Sequence, residues 1–402
     1  MKKLCVVASV LVMACTSPQQ ENNGTMFQDD VEFLSQHSDL YVLKSDDERA
    51  QVVVIPALQG RVMTSTATGP EGLSYGWINR EFIASGEVDK HINAFGGEDR
   101  FWMGPEGGQF SIFFQAGAPF NLEHWWTPEP LNEAEYPVVE EGKNFVRFEK
   151  EMQFVNYSDE VFEVVLNRKV VLLDRQRTNA RFGFDFPDLP MVAFESQNII
   201  TNSGNMPWEK DTGLLSIWIL GMYNPSPATT IVIPFKAGSE EKLGLKVNDA
   251  YFGEVPDDRL IVKEDVLFFL GDGQHRSKIG ISPSRATSIL GSYDEINSVL
   301  TLVTFNKPEG ELDYVNSMWE IQDEPYSGDV VNSYNDGPPE PGAEPMGPFY
   351  ELETSSPAAE LAPEESLQHI HTTLHIQARE SELAPIVQQL LGVDLTDIKA
   401  AF

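Results

Sequence analysis

Cysteine is almost absent from this 402-residue sequence, with Cys5 and Cys15 the only two. Everything after Cys15 therefore has no thiol for a disulfide, a nucleophile or a metal site. Basic side chains are scarce as well: 28 Lys and Arg stand against 62 Asp and Glu, a net charge of -34. A surface of that sign repels nucleic acid and anionic lipid headgroups, so neither is an expected partner. No P-loop, dinucleotide fingerprint or HExxH zinc motif occurs, which removes the commonest nucleotide- and zinc-dependent chemistries. The apolar run from Leu4 to Ala14 is too short to span a bilayer as a stable helix. Yet 41% of residues are hydrophobic and 10% aromatic, so the chain packs a core rather than staying disordered.

What is present begins with an export signal. Lys2 and Lys3 precede the apolar run, and Ala14 directly before Cys15 resembles the lipobox of bacterial lipoproteins, whose cysteine is lipidated and becomes the mature N-terminus. The expected layout is a signal peptide over 1–14, a lipidated tether over 15–30 and a single domain over 31–402. The exported chain would hold 402 − 14 = 388 residues and, without Lys2 and Lys3, a charge of −34 − 2 = −36. Membrane contact is then expected through the lipid alone. Nothing in the sequence sets an oligomeric state.

After a helical turn at 31–34 the pattern becomes β. Segments 52–55, 110–114, 145–154, 161–173 and 231–235 are rich in β-branched and aromatic residues. Turn signals such as Asn156-Tyr157-Ser158-Asp159 and Asn335-Asp336-Gly337 bound them. Many strands at short spacing predict an all-β fold, a large antiparallel sandwich. Helical spacing returns at 382–391 and 394–401, predicting short C-terminal helices that cap the sandwich or cover a sheet edge. The Pro/Gly/Glu-rich piece 337–347 reads as a surface loop.

The stretch from His91 to Trp126 packs charge, glycine and aromatic residues most closely. Gly96-Gly97 and Gly107-Gly108, able to take φ > 0 or to lie close to a ligand, flank Glu98, Asp99, Arg100, Trp102 and Glu106. Carboxylates and a guanidinium that bond hydroxyls, beside an indole that stacks on a ring, are what a carbohydrate pocket needs. The plain alternative is a loop in which Glu98 or Asp99 pairs with Arg100. His124, Trp125 and Trp126 extend the set. Arg61, Arg80 and Arg276 are further forks for hydroxyls or a carboxylate, although the acidic excess offers each a structural partner.

Two other stretches are candidates. Pro308 to Ala378 holds 15 Asp or Glu and no Lys or Arg. Its default is a solvated face, and its functional alternative is a Ca²⁺ site drawing on Asp329, Asn332, Asn335 or Asp336. No other cofactor is expected. The alternating strand at 369–376 puts His369, His371 and His375 on one face, either the wetter face of a half-buried strand or the start of a metal site. Glu351 and Glu353 likewise share a strand face, and burying both unpaired would be costly. General acid/base chemistry by His and carboxyl groups suits sugar substrates, and His91 and His275 join these glutamates as candidates.

The phrases QGRVM (59–63), FGGEDRFW and FYELETSSPAAELAPEESLQHIHTTLHI together resemble the galactose-mutarotase-like superfamily, the relatives of aldose epimerases. DGQHRSKIGISPSRA, YVNSMWEIQDEPYSGDVVNSYNDGP and GPFYELE resemble, more narrowly, an uncharacterised family of Gram-negative lipoproteins within it. The resemblance covers about residues 30 to 378 and implies a β-supersandwich whose concave face holds a sugar. It implies a late glutamate, Glu351 or Glu353, as general base and a histidine, His91 or His275, as general acid. The expectation is an exported lipoprotein that binds a carbohydrate, with epimerase-like chemistry as a further step. The alternatives are a non-catalytic acidic scaffold lipoprotein and a metal-dependent glycan lyase or hydrolase.

Overall fold

A computed structural model describes residues 24–310, 312–340 and 342–402. Cys5, Cys15, the expected signal peptide and most of the expected tether lie outside the described residues.

Two sheets face each other. One has ten strands, in the order 260–262, 266–270, 229–234, 289–294, 299–305, 366–377, 191–202, 161–172, 145–155 and 138–142. The other has five, in the order 277–281, 331–335, 350–355, 216–223 and 100–104. A third, three-stranded sheet joins 41–44, 51–55 and 61–66. Every ladder is antiparallel, so the all-β antiparallel sandwich with short C-terminal helices is the fold observed. The segment 110–114 is not a strand. Its Ser111 and Ile112 amides bond back to Gly108 and Pro105 within the same loop, which leaves no ladder to form.

Strand alternation decides what each face of the five-stranded sheet carries. Tyr350 and Leu352, with Ile279, Ile281 and Val331, point inward and meet Ile231, Leu290 and Val303 of the larger sheet. Burying each such aliphatic side chain contributes about 1.5–3 kcal/mol. The neighbouring residues of the same strands face the other way and build the site described below.

The histidine row is a correction. His369, His371 and His375 line the sandwich interior and are no wetter than their neighbours, each at most 1% exposed. The Thr354 hydroxyl bridges His369 Nε2 at 2.8 Å and His371 Nδ1 at 2.9 Å. His375 spans the Thr301 hydroxyl at 2.9 Å and the Glu98 carboxylate at 2.8 Å. Burial pushes His369 down to about 3 and His371 to about 4, so both stay neutral at physiological pH. On the opposite face of that strand, Leu374 and Ile376 are covered by Leu383, Ile386, Val387 and Leu391 of the helix Glu380–Leu391. The C-terminal helices thus cover an outer sheet face, not an edge. At the other end, the helix Phe27–Ser35 starts before the expected turn and buries Phe27 and Leu34 against Val53, Ile55 and Met63.

Candidate functional site

A cleft of about 170 Å³ opens on the outward face of the five-stranded sheet. Its floor follows from register. Lys278 stands opposite Tyr334, Tyr334 opposite Glu351 and Glu351 opposite Met222. One rung along, Glu353 pairs with Leu220 and Leu220 with Arg100, while Trp218 faces Trp102. Four of the chain's seven tryptophans, Trp102, Trp125, Trp218 and Trp319, line this one cleft. Its mouth is rimmed by the exposed side chains of Leu122, Phe252 and Met346.

The aromatic wall is continuous. Trp102 stacks on Phe113, Phe113 on Trp125 and Trp125 on Trp319, with centroids 5.4, 5.7 and 6.0 Å apart. Each cation of the cleft lies over a ring. Arg100 is 4.4 Å from Trp102, Lys278 4.5 Å from Trp218 and Arg276 3.8 Å from Phe252, arrangements that favour the charge in a partly dry setting.

Two loops carry the rest. Glu106 N–H bonds the Ser317 hydroxyl at 3.1 Å, and Gln109 and Gln322 exchange bonds of 2.9 and 3.0 Å, clamping segment 105–111 to 316–322. Gly107 is needed for that approach, since a Cβ there would fall 2.2 Å from the Met318 carbonyl oxygen. Gly96, at φ +92°, is pressed the same way against the Trp77 carbonyl, 2.1 Å from where its Cβ would be. Gly96 and Gly107 thus let backbone approach backbone, and Gly97 and Gly108, at φ +110° and +82°, take the positive φ expected of them and press on the Arg61 and Gln322 side chains.

The carboxyl groups form one unit. Glu353 is fully buried, and its Oε2 accepts from Lys278 Nζ at 3.0 Å and from the Trp218 indole at 2.9 Å. Its Oε1 has no partner among the described residues. Glu351, on the same strand face, hydrogen-bonds Glu353 and faces Arg100 at 3.8 Å. Burial, and then the Glu353 charge, push the Glu351 carboxyl up to about 8, with Arg100 and Lys278 opposing. Burial also raises Glu106, whose carboxylate accepts from the Trp319 indole.

Of the residues singled out in the sequence, Arg100, Trp102, Glu106, Trp125, Arg276 and Glu351 line the cleft and Glu353 lies beneath it. Others are placed elsewhere. Arg61 is buried in the core, donating to the Gly96 carbonyl at 2.7 Å and Gln59 at 2.9 Å. Arg80 binds Asp30 at 2.6 Å and ties down the first helix. Neither Glu98 nor Asp99 pairs with Arg100: Glu98 takes His375 and Ser65, and Asp99 takes Arg168 at 2.6 Å. His91 stacks on Trp126 at 3.9 Å, with Nδ1 bonded to the Trp125 carbonyl, while His124 bonds Asn121 and His275 is exposed. None of these three lines the cleft. Asn335 serves the backbone of Gly273 and His275, and Asp336 is held by Tyr334 and Gly347. Asp329 and Asn332 meet at the Tyr251 hydroxyl in a small pocket, while Asn335 and Asp336 are engaged by Gly273 and Gly347 three or more residues along, so the four expected Ca²⁺ ligands do not gather as one set. Among the described residues, no three His, Cys, Asp or Glu side chains gather around one point that would hold a metal.

Sequence reasoning missed Lys278, Trp218, Trp319 and Tyr334. Lys278 carried a signal: a lone lysine in the strand Ser-Lys-Ile-Gly-Ile, two residues from Arg276 and so on its face. A larger cavity of about 340 Å³ lies elsewhere, but its one carboxylate, Asp294, is engaged by Ser226 and Asn297. The pentad Gly72-Leu73-Ser74-Tyr75-Gly76 has nucleophile-elbow spacing, yet the buried Ser74 hydroxyl is shared between Asp30 and Thr64, with no histidine bonded to it among the described residues.

Among solved structures, the chain is similar to a candidate aldose 1-epimerase of Escherichia coli K12 at 11% identity and TM-score 0.51, over 85% of this chain and 99% of that one. It is similar to the Slr1438 protein of Synechocystis sp. PCC 6803 at 12% identity and TM-score 0.51, over 85% and 96%. A galactose mutarotase-like protein of Lactobacillus casei ATCC 334 aligns at 10% identity and TM-score 0.47, over 84% and 100%. The first two likenesses show the fold, the galactose-mutarotase-like β-sandwich. No curated protein matches the chain by sequence. Over residues 25–402 the sequence matches the family of unknown function DUF6786, and the chain belongs to that family.

Proposed function

We propose that this protein is an exported lipoprotein of a Gram-negative cell envelope that binds a carbohydrate in the cleft over Glu351 and moves a proton on it. The observation that carries the reading is the convergence of four tryptophans, two carboxyl groups and three cations on one sheet face. Flat apolar walls take the faces of a sugar ring, and charged groups between them take its hydroxyls. Lipid anchoring rests on Lys2, Lys3, the run to Ala14 and Cys15, as the sequence presents them.

The chemistry falls to carboxyl groups. None of the seven histidines lines the cleft, so the acid expected at His91 or His275 is replaced by Glu351, which keeps its proton near neutrality. Glu106, the other lining carboxyl, is the partner base. Anomer exchange needs this pair: Glu351 donates to the ring oxygen as Glu106 takes the anomeric hydroxyl proton, the C1–O5 bond opens, and reclosure on the other face returns both protons. The aldose 1-epimerase description of the Escherichia coli neighbour is in keeping with such a reaction.

The first experiment is thermal stability of the chain from Gln19 onward against mono- and oligosaccharides, with Ca²⁺ and with EDTA. Ligand at 100 times its dissociation constant adds about 2.7 kcal/mol, a readily measured shift. Anomer exchange by proton NMR follows for any binder, with Glu351→Gln as the comparison. Binding with the same exchange rate in both proteins would leave a binding lipoprotein and remove the enzyme.

A further inference from the structure

Arg100 is buried, 3% exposed, in a chain whose acids outnumber its bases 62 to 28. It nevertheless lacks a close partner. Glu351, the carboxyl group that faces it, stands 3.8 Å away, and the Arg100 Nε and Nη1 hydrogens bond nothing among the described residues. A buried donor without an acceptor costs about 1–3 kcal/mol, so leaving two on one side chain calls for a reason. The Trp125 indole N–H is a third buried donor of the same cleft without a partner.

Apart from Glu353 Oε1, which is buried beneath the floor, the carboxyl groups of the cleft are already engaged. Glu353 Oε2 is taken by Lys278 and Trp218, Glu106 by the Trp319 indole, and Glu351 by Glu353. The Tyr334 hydroxyl donates to Asp336. What stays unpaired among the described residues is donors, Arg100 Nε and Nη1 at the floor and the Trp125 indole N–H, while Arg276, half-exposed and bonded to Tyr334, adds positive charge near Phe252 at the mouth. A sugar hydroxyl both donates and accepts, whereas carboxylate, phosphate and sulfate oxygens at neutral pH only accept. A surplus of donors around a buried guanidinium matches the second kind of group.

We infer that the cleft takes an anionic sugar, one bearing a carboxylate, phosphate or sulfate whose oxygens Arg100 and the Trp125 N–H hold while the ring lies on the tryptophan wall. This rests on the carbohydrate reading above and narrows it. The net negative surface does not forbid such a ligand, because bulk charges beyond about 8–10 Å are screened at physiological salt while Arg100 acts at contact distance.

The test is isothermal titration of glucose and galactose, their uronates, 6-phosphates and 6-sulfates, and short neutral and uronate oligosaccharides. At least one anionic series should bind tenfold or more tighter than its neutral counterpart, and the series that does so identifies the anion. Arg100→Lys and Arg100→Met should remove that preference, so that the anionic and neutral members of the series bind within about twofold of each other. Should either variant fail to fold, Arg276→Gln at the mouth is expected to narrow the preference by severalfold. Neutral and anionic sugars binding alike would overturn the anionic inference and leave the carbohydrate function standing. No sugar of either kind binding would overturn both.

Discussion

Lys278 Nζ lies 3.0 Å from Glu353 Oε2, and neither side chain is more than 9% exposed. The pair sits between the sandwich core and the cleft, so each charge depends on the other. Replacing one partner strands a charge away from water, which typically costs 3–5 kcal/mol, while replacing both is far milder. Lys278→Met should therefore lose about 3–5 kcal/mol in urea unfolding at pH 7. Adding Glu353→Gln should restore more than half of it. A single variant within about 0.5 kcal/mol of the parent would show that the pair carries no such dependence.

Glu351 gives a pH signature. Its folded-state value of about 8 lies above the ordinary 4.5, so between these the native chain keeps a proton that the unfolded chain has released. Its contribution to stability must then fall as pH rises from about 4.5 through about 8. Glu351→Gln cannot titrate and mimics the protonated form. Its melting temperature should stay flatter than the parent's over that range while any turnover is lost. Two curves running parallel would mean that Glu351 ionises normally in the folded protein.

Much of this site was legible along the chain, and the reason it was not wholly so is topological. Arg100, Trp102, Glu106 and Trp125 fall within one stretch, and the spacing of Glu351 and Glu353 placed both on one strand face. Trp218 and Lys278 come from distant strands, and only the order 277–281, 331–335, 350–355, 216–223, 100–104 brings them together. Alternation shows that two residues share a face but not which face is interior. That ambiguity left the row His369, His371, His375 as a wetter face or a metal site, when it packs between the sheets. Glu98 and Asp99 looked like ligand contacts because their partners, His375 and Arg168, lie far away in sequence.

The interior histidines act in the opposite direction to Glu351, against acid. His369 and His371 are held at about 3 and about 4, below the ordinary 6.5 that they regain on unfolding. Between these values the unfolded chain binds protons that the native chain refuses. Their contribution is present above about 6.5 and is lost as pH falls toward 4 and 3. His371→Asn, whose amide can still reach Thr354, should show a shallower loss of melting temperature between pH 6.5 and 4. An unchanged slope would assign the acid sensitivity to other groups.

The meeting of the two cleft loops can be tested apart from the fold. A methyl on Gly107 would point 2.2 Å from the Met318 carbonyl oxygen, which is backbone and cannot swing aside. Gly107→Ala must part the loops that carry Glu106 and Trp319, yet both loops lie outside the sheets and the sandwich should stay intact. Gly86→Ala is the control: φ there is +65° and nothing lies within 4 Å, so it strains its own turn by about 1 kcal/mol and reaches no cleft residue. Calorimetric titration with whichever sugar binds should show affinity at least tenfold weaker for Gly107→Ala and unchanged for Gly86→Ala. Equal affinities in the two variants would mean that the 105–111 and 316–322 loops do not shape the binding site.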